Sequence, residues 1–162
     1  MVAKGFPTCL WFDGQAEEAA EAAEHYVSVF KDSKPGRIGR YTEAGPGPAG
    51  PAMVVEFEAN GQRFVGLNGG PEFTFSEAIS FQIHCAGQDE VDYYWGRLSE
   101  GGSEGPCGWL KDKYGVSWQV VPDGLVEMLG DPDPEKAGRT TEAMFSMSEL
   151  DVAALQKAYA GE

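Results

Sequence analysis

The sequence is short of basic residues, and this shortage argues against one large class of partners. Only 12 lysines and arginines stand against 26 aspartates and glutamates, which gives a formal net charge of −14. Such a chain repels phosphate backbones, and its densest cationic stretch, residues 31–40, is interrupted by Asp32 and by glycine. We therefore expect no nucleic-acid partner. The charge is interpreted first as a contribution to solubility, with attraction of a cationic ligand as the alternative.

Cysteine and long apolar runs are also scarce. The three cysteines, Cys9, Cys85 and Cys107, are odd in number and form no C-x-x-C pair, so neither a disulfide framework nor a zinc knuckle is expected. Cys107 lacks a convincing neighbouring base, which favours a structural thiol over a nucleophile. No apolar run approaches the roughly 20 residues of a membrane span. Residues 1–7 do not resemble a signal peptide. The sequence predicts a single soluble domain, residues 1–162, in the cytoplasm and without a membrane partner.

The order of predicted elements repeats once. A first βαβββ module over residues 6–70 begins with a strand that ends before Asp13, the predicted N-cap of an amphipathic helix. Asn60-Gly61 joins its last two strands, because both residues tolerate the positive φ of a tight hairpin. The predicted bounds are 8–12, 15–30 (helix), 36–43, 53–59 and 62–68.

A second, shorter module follows over residues 76–122. Its predicted elements are 79–85, 89–98 (helix), 103–104, 107–111 and 116–121. Residues 123–162 change to a helical pattern, with helices expected at 125–129, 134–147 and 151–159 and with Ser148 and Asp151 as caps of the last. The apolar residues of this C-terminal segment are expected to pack on the sheets or on a partner subunit.

Several motifs resemble one known family. Residues 109–121, WLKDKYGVSWQVV, resemble the last hairpin of the vicinal oxygen chelate (glyoxalase/bleomycin resistance/dioxygenase) superfamily in the D-x-[FY]-G-x-x-W-Q form of its PhnB-like, 3-demethylubiquinone-9 3-methyltransferase branch. Residues 10–19, 64–70 and 79–81 resemble the opening and centre of that branch. The resemblance implies an α+β fold in which two βαβββ modules form a cupped, incomplete mixed β-barrel. It also implies a homodimer.

Metal-dependent members of that superfamily carry four ligands, usually His and Glu, on four strands. The resemblance places these positions at Pro7, Gly66, Ser80 and Gln119, with a shift of one residue possible at Gly66. None of them is a carboxylate or an imidazole, so we expect no metal and no cofactor. A metal-dependent lyase, isomerase or dioxygenase is the alternative.

Strand alternation predicts which residues line the cup. Leu10, Phe12, Phe81, Ile83, Trp118 and Val120 are assigned to the helix-packed face. The opposite face combines aromatic rings with amides and hydroxyls, which suits a small ligand with a planar or apolar body, although such side chains also simply fill small barrels. The predicted ligand-binding residues are Trp11, Ser80, Gln82, His84, Ser117 and Gln119, with Phe64 and Asn68 if the register of their strand holds.

Three classes of function follow, of which the second is the metal-dependent lyase, isomerase or dioxygenase named above. The first is a metal-independent small-molecule-binding protein, in which His84 is a candidate general base with Gln119 and Ser80 polarising a carbonyl. A methyltransferase, as the family label says, is disfavoured because the only glycine-rich segment, 43–50, contains prolines and opens no helix. The third is a non-enzymatic interaction protein that binds its partner through the C-terminal helices.

Overall fold

Each βαβββ module forms a four-stranded mixed sheet of its own. The computed structural model describes residues 5–13, 17–45 and 49–162, and the chain divides into a first unit, Met1–Phe75, and a second unit, Ser76–Glu162. The first unit contains β1 (Thr8–Phe12), α1 (Glu18–Val29), β2 (Lys34–Arg40), β3 (Ala52–Ala59) and β4 (Gln62–Asn68). Its strand order is β1-β4-β3-β2, in which only the β1–β4 pair is parallel.

The second unit repeats this arrangement and adds three helices. It contains β5 (Phe81–Cys85), α2 (Gln88–Ser99), β6 (Ser103–Glu104), β7 (Trp109–Lys111), β8 (Ser117–Pro122), α3 (Leu125–Leu129), α4 (Pro134–Phe145) and α5 (Val152–Ala160). The strand order is β5-β8-β7-β6, with β5 and β8 parallel. The predicted α+β fold with a duplicated βαβββ module is confirmed. Neither sheet, over the described residues, closes into a barrel.

The start of α1 differs from the prediction. The helix begins at Glu18, and its N-cap is Glu17, not Asp13, while residues 15–16 of the predicted helix lie outside the described residues. The amide of Ala19 donates to Oδ1 of Asn68 at 3.0 Å. A carboxamide at the end of β4 therefore binds a helix N–H group that lacks an intrahelical partner, which is the part predicted for Asp13.

Several strand boundaries also differ from the prediction: the strand predicted at 79–85 begins at Phe81, and two other strands differ for local reasons. The strand predicted at 107–111 begins at Trp109, because Cys107 (φ 60°) and Gly108 (φ 80°) form a left-handed turn that no strand accommodates. The strand predicted at 36–43 is β2, Lys34–Arg40, which pairs with β3 from Lys34 onward. The Asn60-Gly61 hairpin has the expected positive φ at both positions, 50° and 71°.

The C-terminal helices form a small core within the second unit. Leu125, Leu150 and Leu155 are buried together, with methionines of α3 and α4 packed around them. Backbone amides of Cys107 and Gly108 donate to carbonyls of the α4–α5 connection at 2.8 Å, which ties the helices to the start of β7. Asp151 caps α5 as predicted, accepting from the amide of Ala154 at 2.8 Å.

Candidate functional site

The register of β4 decides which residues of the first sheet face away from α1. Cys9 pairs with Val65 and Trp11 with Leu67, whereas Phe64 pairs with Thr8 on the other face. Phe64 is buried and stacks on Phe57, which in turn stacks on Tyr26 of α1, with ring centroids 5.2 and 6.0 Å apart. The residues of β4 that share the open face with Trp11 are therefore Val65 and Leu67.

The predicted placement of Phe64 and Asn68 on the ligand side of the sheet is wrong. Asn68 is buried on the helix side, where Oδ1 accepts from Ala19 and Nδ2 donates to the carbonyl of Ala52 at 2.8 Å. Gly66 lies on the same side, and a Cβ there would approach the Cβ of Ala19 to 3.2 Å. Glycine at position 66 thus lets α1 pack closely on β4. These three residues position the helix.

Trp11 lies on the open face of the first sheet, but its ring is engaged within its own unit. Its indole N–H donates to the carbonyl of Gly70 at 2.8 Å, and Phe73 meets the ring edge-on at 5.0 Å. A Cβ at Gly69 would lie 2.2 Å from the indole, so this position requires glycine. The Gly69-Gly70 turn therefore packs against Trp11 and holds it in place.

The open face of the second sheet carries a hydrogen-bonded row of polar side chains. Gln82 and Gln119 are register partners on neighbouring strands, and Nε2 of Gln82 donates to Oε1 of Gln119 at 3.2 Å. Nε2 of Gln119 donates to Oγ of Ser80 at 2.7 Å. His84 follows Gln82 by two residues on the same face and is exposed. The structure thus brings four of the predicted residues to one surface, with Gln119 at the centre of the row.

The D-x-[FY]-G-x-x-W motif fixes the strand that carries Ser117 and Gln119. The buried carboxylate of Asp112 accepts from the amides of Tyr114 and Val116 at 2.9 and 3.0 Å and from the indole of Trp118 at 2.8 Å. Gly115 supplies the left-handed residue of the turn, with φ 86°. Because Trp118 is locked to the helix side of β8, its two neighbours in sequence face the open side.

A cavity of about 430 Å³ lies beside this row, within the second unit. Ser117 is 1% exposed, and its Oγ has no hydrogen-bond partner among the described residues. A buried hydroxyl without a partner costs about 1–3 kcal/mol, so its presence calls for an explanation. The residues that line the cavity are Glu77, Ser103, Glu104, Gly105, Pro106, Trp109, Leu110, Lys111 and Ser117.

One cation stands at this cavity. Nζ of Lys111 lies 2.6 Å from Oε1 of Glu77, and the two side chains are 37% and 61% exposed. Lys111 is the register partner of both Ser117 and Ser103, so these three side chains leave the sheet from one row across three strands. The hydrogen bond from Lys111 lowers the pKa of Glu77, which stays ionised beside it. The site thus holds an ammonium group that is paired with the carboxylate of a largely exposed glutamate side chain.

Sequence reasoning missed most of the cavity lining. Trp109 and Lys111 belong to the open face because Trp109 pairs with Gln119 and Lys111 with Ser117. The strand alternation that predicted Ser117 and Gln119 also predicts these two residues once the pairing of the two strands joined by the hairpin around Asp112 is known. Glu77 gives no such signal, since it lies in the turn before β5 and outside any strand pattern.

Comparison with known proteins identifies the family. A family model described as 3-demethylubiquinone-9 3-methyltransferase matches residues 4–121. The chain belongs to this PhnB-like family. A PhnB protein from Bacillus cereus, with a solved structure, is 34% identical at a TM-score of 0.64, over 74% of this chain and 99% of that one. No curated protein matches the sequence at a significant level.

Structures of low identity extend the likeness in fold alone. The fosfomycin resistance protein FosX from Mesorhizobium loti is 11% identical with a TM-score of 0.53, over 80% of this chain and 99% of that one. FosX from Listeria monocytogenes in complex with Mn(II) and sulfate is 16% identical with a TM-score of 0.50, with the same coverage. These neighbours share the fold of the PhnB-like chain.

The residues of this PhnB-like chain do not fit the superfamily's divalent metal. On β4 the open-face residues are Val65 and Leu67, which have no donor atoms, so the correction at Gly66 adds no ligand. Both side-chain polar atoms of Gln119 are already hydrogen-bonded, one of them to Ser80. Among the described residues no three His, Cys, Asp or Glu side chains form a group suited to a metal ion. The donor chemistry, neutral and largely satisfied, is unlike that of a divalent metal site.

The methyltransferase in the family description is the name of the family model, and the described residues contain no matching site. S-adenosylmethionine binding in the common fold uses a glycine-rich turn between a strand and a helix of a parallel sheet. Segment 43–50 instead leads into β3, and its residues 46–48 lie outside the described part of the chain.

Among the described helices none is long and apolar enough to span a membrane.

Proposed function

We propose that this protein binds a small organic molecule, without a metal, on the open face of its second sheet. The observation that carries the proposal is Ser117, whose buried hydroxyl borders the cavity and has no hydrogen-bond partner in the described part of the chain. A ligand atom that bonds this hydroxyl relieves its desolvation cost, so the hydroxyl favours the bound state. Trp109 adds a planar surface to the cavity. The hydrogen-bonded row of Gln82, Gln119 and Ser80 lies beside it, because Gln119 is the register partner of Trp109.

The test is a thermal-shift screen of small metabolites, antibiotics and metal ions against the full chain and its Ser117→Ala variant. A ligand that binds only the folded state raises the melting temperature, and the shift grows with the logarithm of its concentration relative to Kd. Without ligand, Ser117→Ala is expected to be more stable by about 1 kcal/mol, or roughly 2–4 °C, because it removes an unsatisfied buried group. With ligand, its thermal shift is expected to be smaller than that of the unmodified chain.

A matched control is Thr140→Val. The hydroxyl of Thr140 is equally buried but donates to the carbonyl of Lys136 at 3.0 Å, so its loss lowers stability or leaves it unchanged. Ligand-induced shifts of Thr140→Val are expected to match those of the unmodified chain. Equal ligand shifts in Ser117→Ala and the unmodified chain would remove the basis for the proposed site.

We also propose His84 as the general base if the bound molecule is transformed. His84 lies two residues beyond Gln82 on the same open face, roughly 7 Å along the strand, and Gln82 is bonded to the Gln119–Ser80 pair that would polarise a carbonyl. The test compares His84→Ala and His84→Gln on a substrate found by the screen. Loss of turnover with retained thermal shift supports the role, whereas undiminished turnover in both variants discards it.

We propose a homodimer in the cytoplasm as the physiological form. Support comes from β2, the edge strand of the first sheet, whose seven residues are all exposed and leave backbone groups open for pairing. Sedimentation velocity of the full chain tests the assembly, and a monomer at micromolar concentration contradicts it.

Partner binding through the C-terminal helices is the competing function. It predicts that Phe145→Ser, a change at a residue 67% exposed, alters the assembly.

A further inference from the structure

The second unit's cavity contains an internal ion pair that a bound molecule must meet. Lys111 Nζ and Glu77 Oε1 are 2.6 Å apart, both residues line the cavity, and both side chains keep substantial exposure. Exposed ion pairs of this kind contribute about 0–1 kcal/mol, so the fold loses little when this one opens. Glu77 belongs to the short turn before β5, where the amide of Ile79 bonds the carbonyl of Ser76 at 3.4 Å. The carboxylate is therefore easily displaced from the ammonium group.

The register partners of Lys111 carry hydroxyls that can donate to an oxygen anion, while the second carboxylate of the cavity lining, Glu104, accepts from the Trp95 indole at 3.3 Å. Ser117 and Ser103 flank Lys111 as its register partners, so two hydroxyl donors lie on either side of the base of the lysine side chain. Trp109 lies on the same face of β7, two residues before Lys111 and roughly 7 Å along the strand. This spacing suits a ligand whose planar body stacks on the indole while its charged group contacts the ammonium group.

We propose that the cavity takes a small planar carboxylate, with Lys111 and the Ser117 hydroxyl binding its anionic group and Glu77 occupying that anion position until the ligand displaces it. This inference rests on the proposed function and names the chemical class of its ligand. Glu77 then acts as a specificity device, because only a ligand that pairs with Lys111 compensates for breaking the internal ion pair. A neutral ligand of the same shape has no such compensation.

The test titrates the full chain with benzoate, benzamide and benzylammonium, and follows the Trp109 indole N–H and the Ser117 amide by NMR. Benzoate is expected to shift both signals saturably in the millimolar range. Glu77→Gln should tighten benzoate about three- to fivefold, because the competing carboxylate is gone. Lys111→Gln should weaken it about tenfold or more, because a charge-assisted contact is lost. Benzamide should bind more weakly than benzoate and respond little to either change.

A matched control is available in the first unit. Lys34 and Glu58 form an ion pair of the same 2.6 Å separation, and Glu58→Gln should leave benzoate binding unchanged. Absence of a saturable benzoate shift overturns the assignment. The assignment is also overturned if benzoate and benzamide bind equally well and Lys111→Gln changes neither affinity. This second result leaves the cavity itself as a binding site. If the chain prefers benzylammonium and Glu77→Gln abolishes that preference, the cavity binds a cation and the assigned ligand charge is wrong.

Discussion

Asp112 provides a quantitative test of how the hairpin is held. Its carboxylate is buried and accepts from two backbone amides and from the Trp118 indole, all at 2.8–3.0 Å. In Asp112→Asn one oxygen still accepts from the amides, but an NH₂ group then faces the indole N–H. The variant loses a hydrogen bond to a charged group, about 1.5–3 kcal/mol, and buries an unsatisfied donor. We expect a loss of about 3 kcal/mol.

The assay is urea unfolding followed by circular dichroism, with a double-mutant cycle. A loss of about 3 kcal/mol corresponds to a fall of roughly 6–12 °C in melting temperature for a chain of this size. In a Trp118→Phe background the donor is absent, so Asp112→Asn should cost about 2 kcal/mol less. Asp123→Asn, an exposed change in the same unit, should stay within about 0.5 kcal/mol of the unmodified chain. Equal costs of Asp112→Asn in both backgrounds would refute the proposed carboxylate–indole coupling.

Three further predictions concern stability and reactivity. Asn68→Ala should lower the free energy of unfolding by about 2–4 kcal/mol in urea titrations, because it leaves a helix amide and a strand carbonyl unpaired; a loss under about 1 kcal/mol would contradict the bridging role. Gly69→Ala should cost about 1–3 kcal/mol, and a Trp11→Ala background should relieve that cost, whereas an undiminished cost would exclude the ring contact. Burial raises the pKa of Cys85 from 9.0 to about 12. Its thiol should resist iodoacetamide near neutral pH until the protein unfolds, and the stability it contributes is present below pH 9.0 and fades as the pH rises toward about 12. Mass spectrometry of native and unfolded samples checks the labelling, and rapid native labelling would contradict the burial.

The elements were predictable where the signal was local. Asn60-Gly61 encodes a hairpin through its tolerance of positive φ, and the helix α1 is marked by its alanine stripe against glutamates. The sequence around Asp112 indicated the last hairpin, and the structure supplies the physical reason, three donors converging on one carboxylate. Elements whose sequence signal lies in neighbouring residues can thus be predicted without knowledge of the tertiary fold.

The site was less predictable because its geometry depends on distant contacts. Both faces of β4 alternate in polarity too weakly to reveal that Phe64 and Asn68 lie beneath α1, a choice made by packing against Tyr26 and the helix start. The helix cap comes from Asn68, 49 positions beyond Ala19, which no local rule detects. The same holds for Glu77, a turn residue that meets Lys111 only in the folded unit.

The most direct measurement of the central claim is a high-resolution crystal structure of the full chain with the best hit of the thermal-shift screen. The account predicts the bound molecule in the second unit's cavity, with one of its polar atoms within hydrogen-bond distance of the Ser117 hydroxyl. A hit bound elsewhere, with the Ser117 hydroxyl satisfied by a neighbouring protein group, would contradict it.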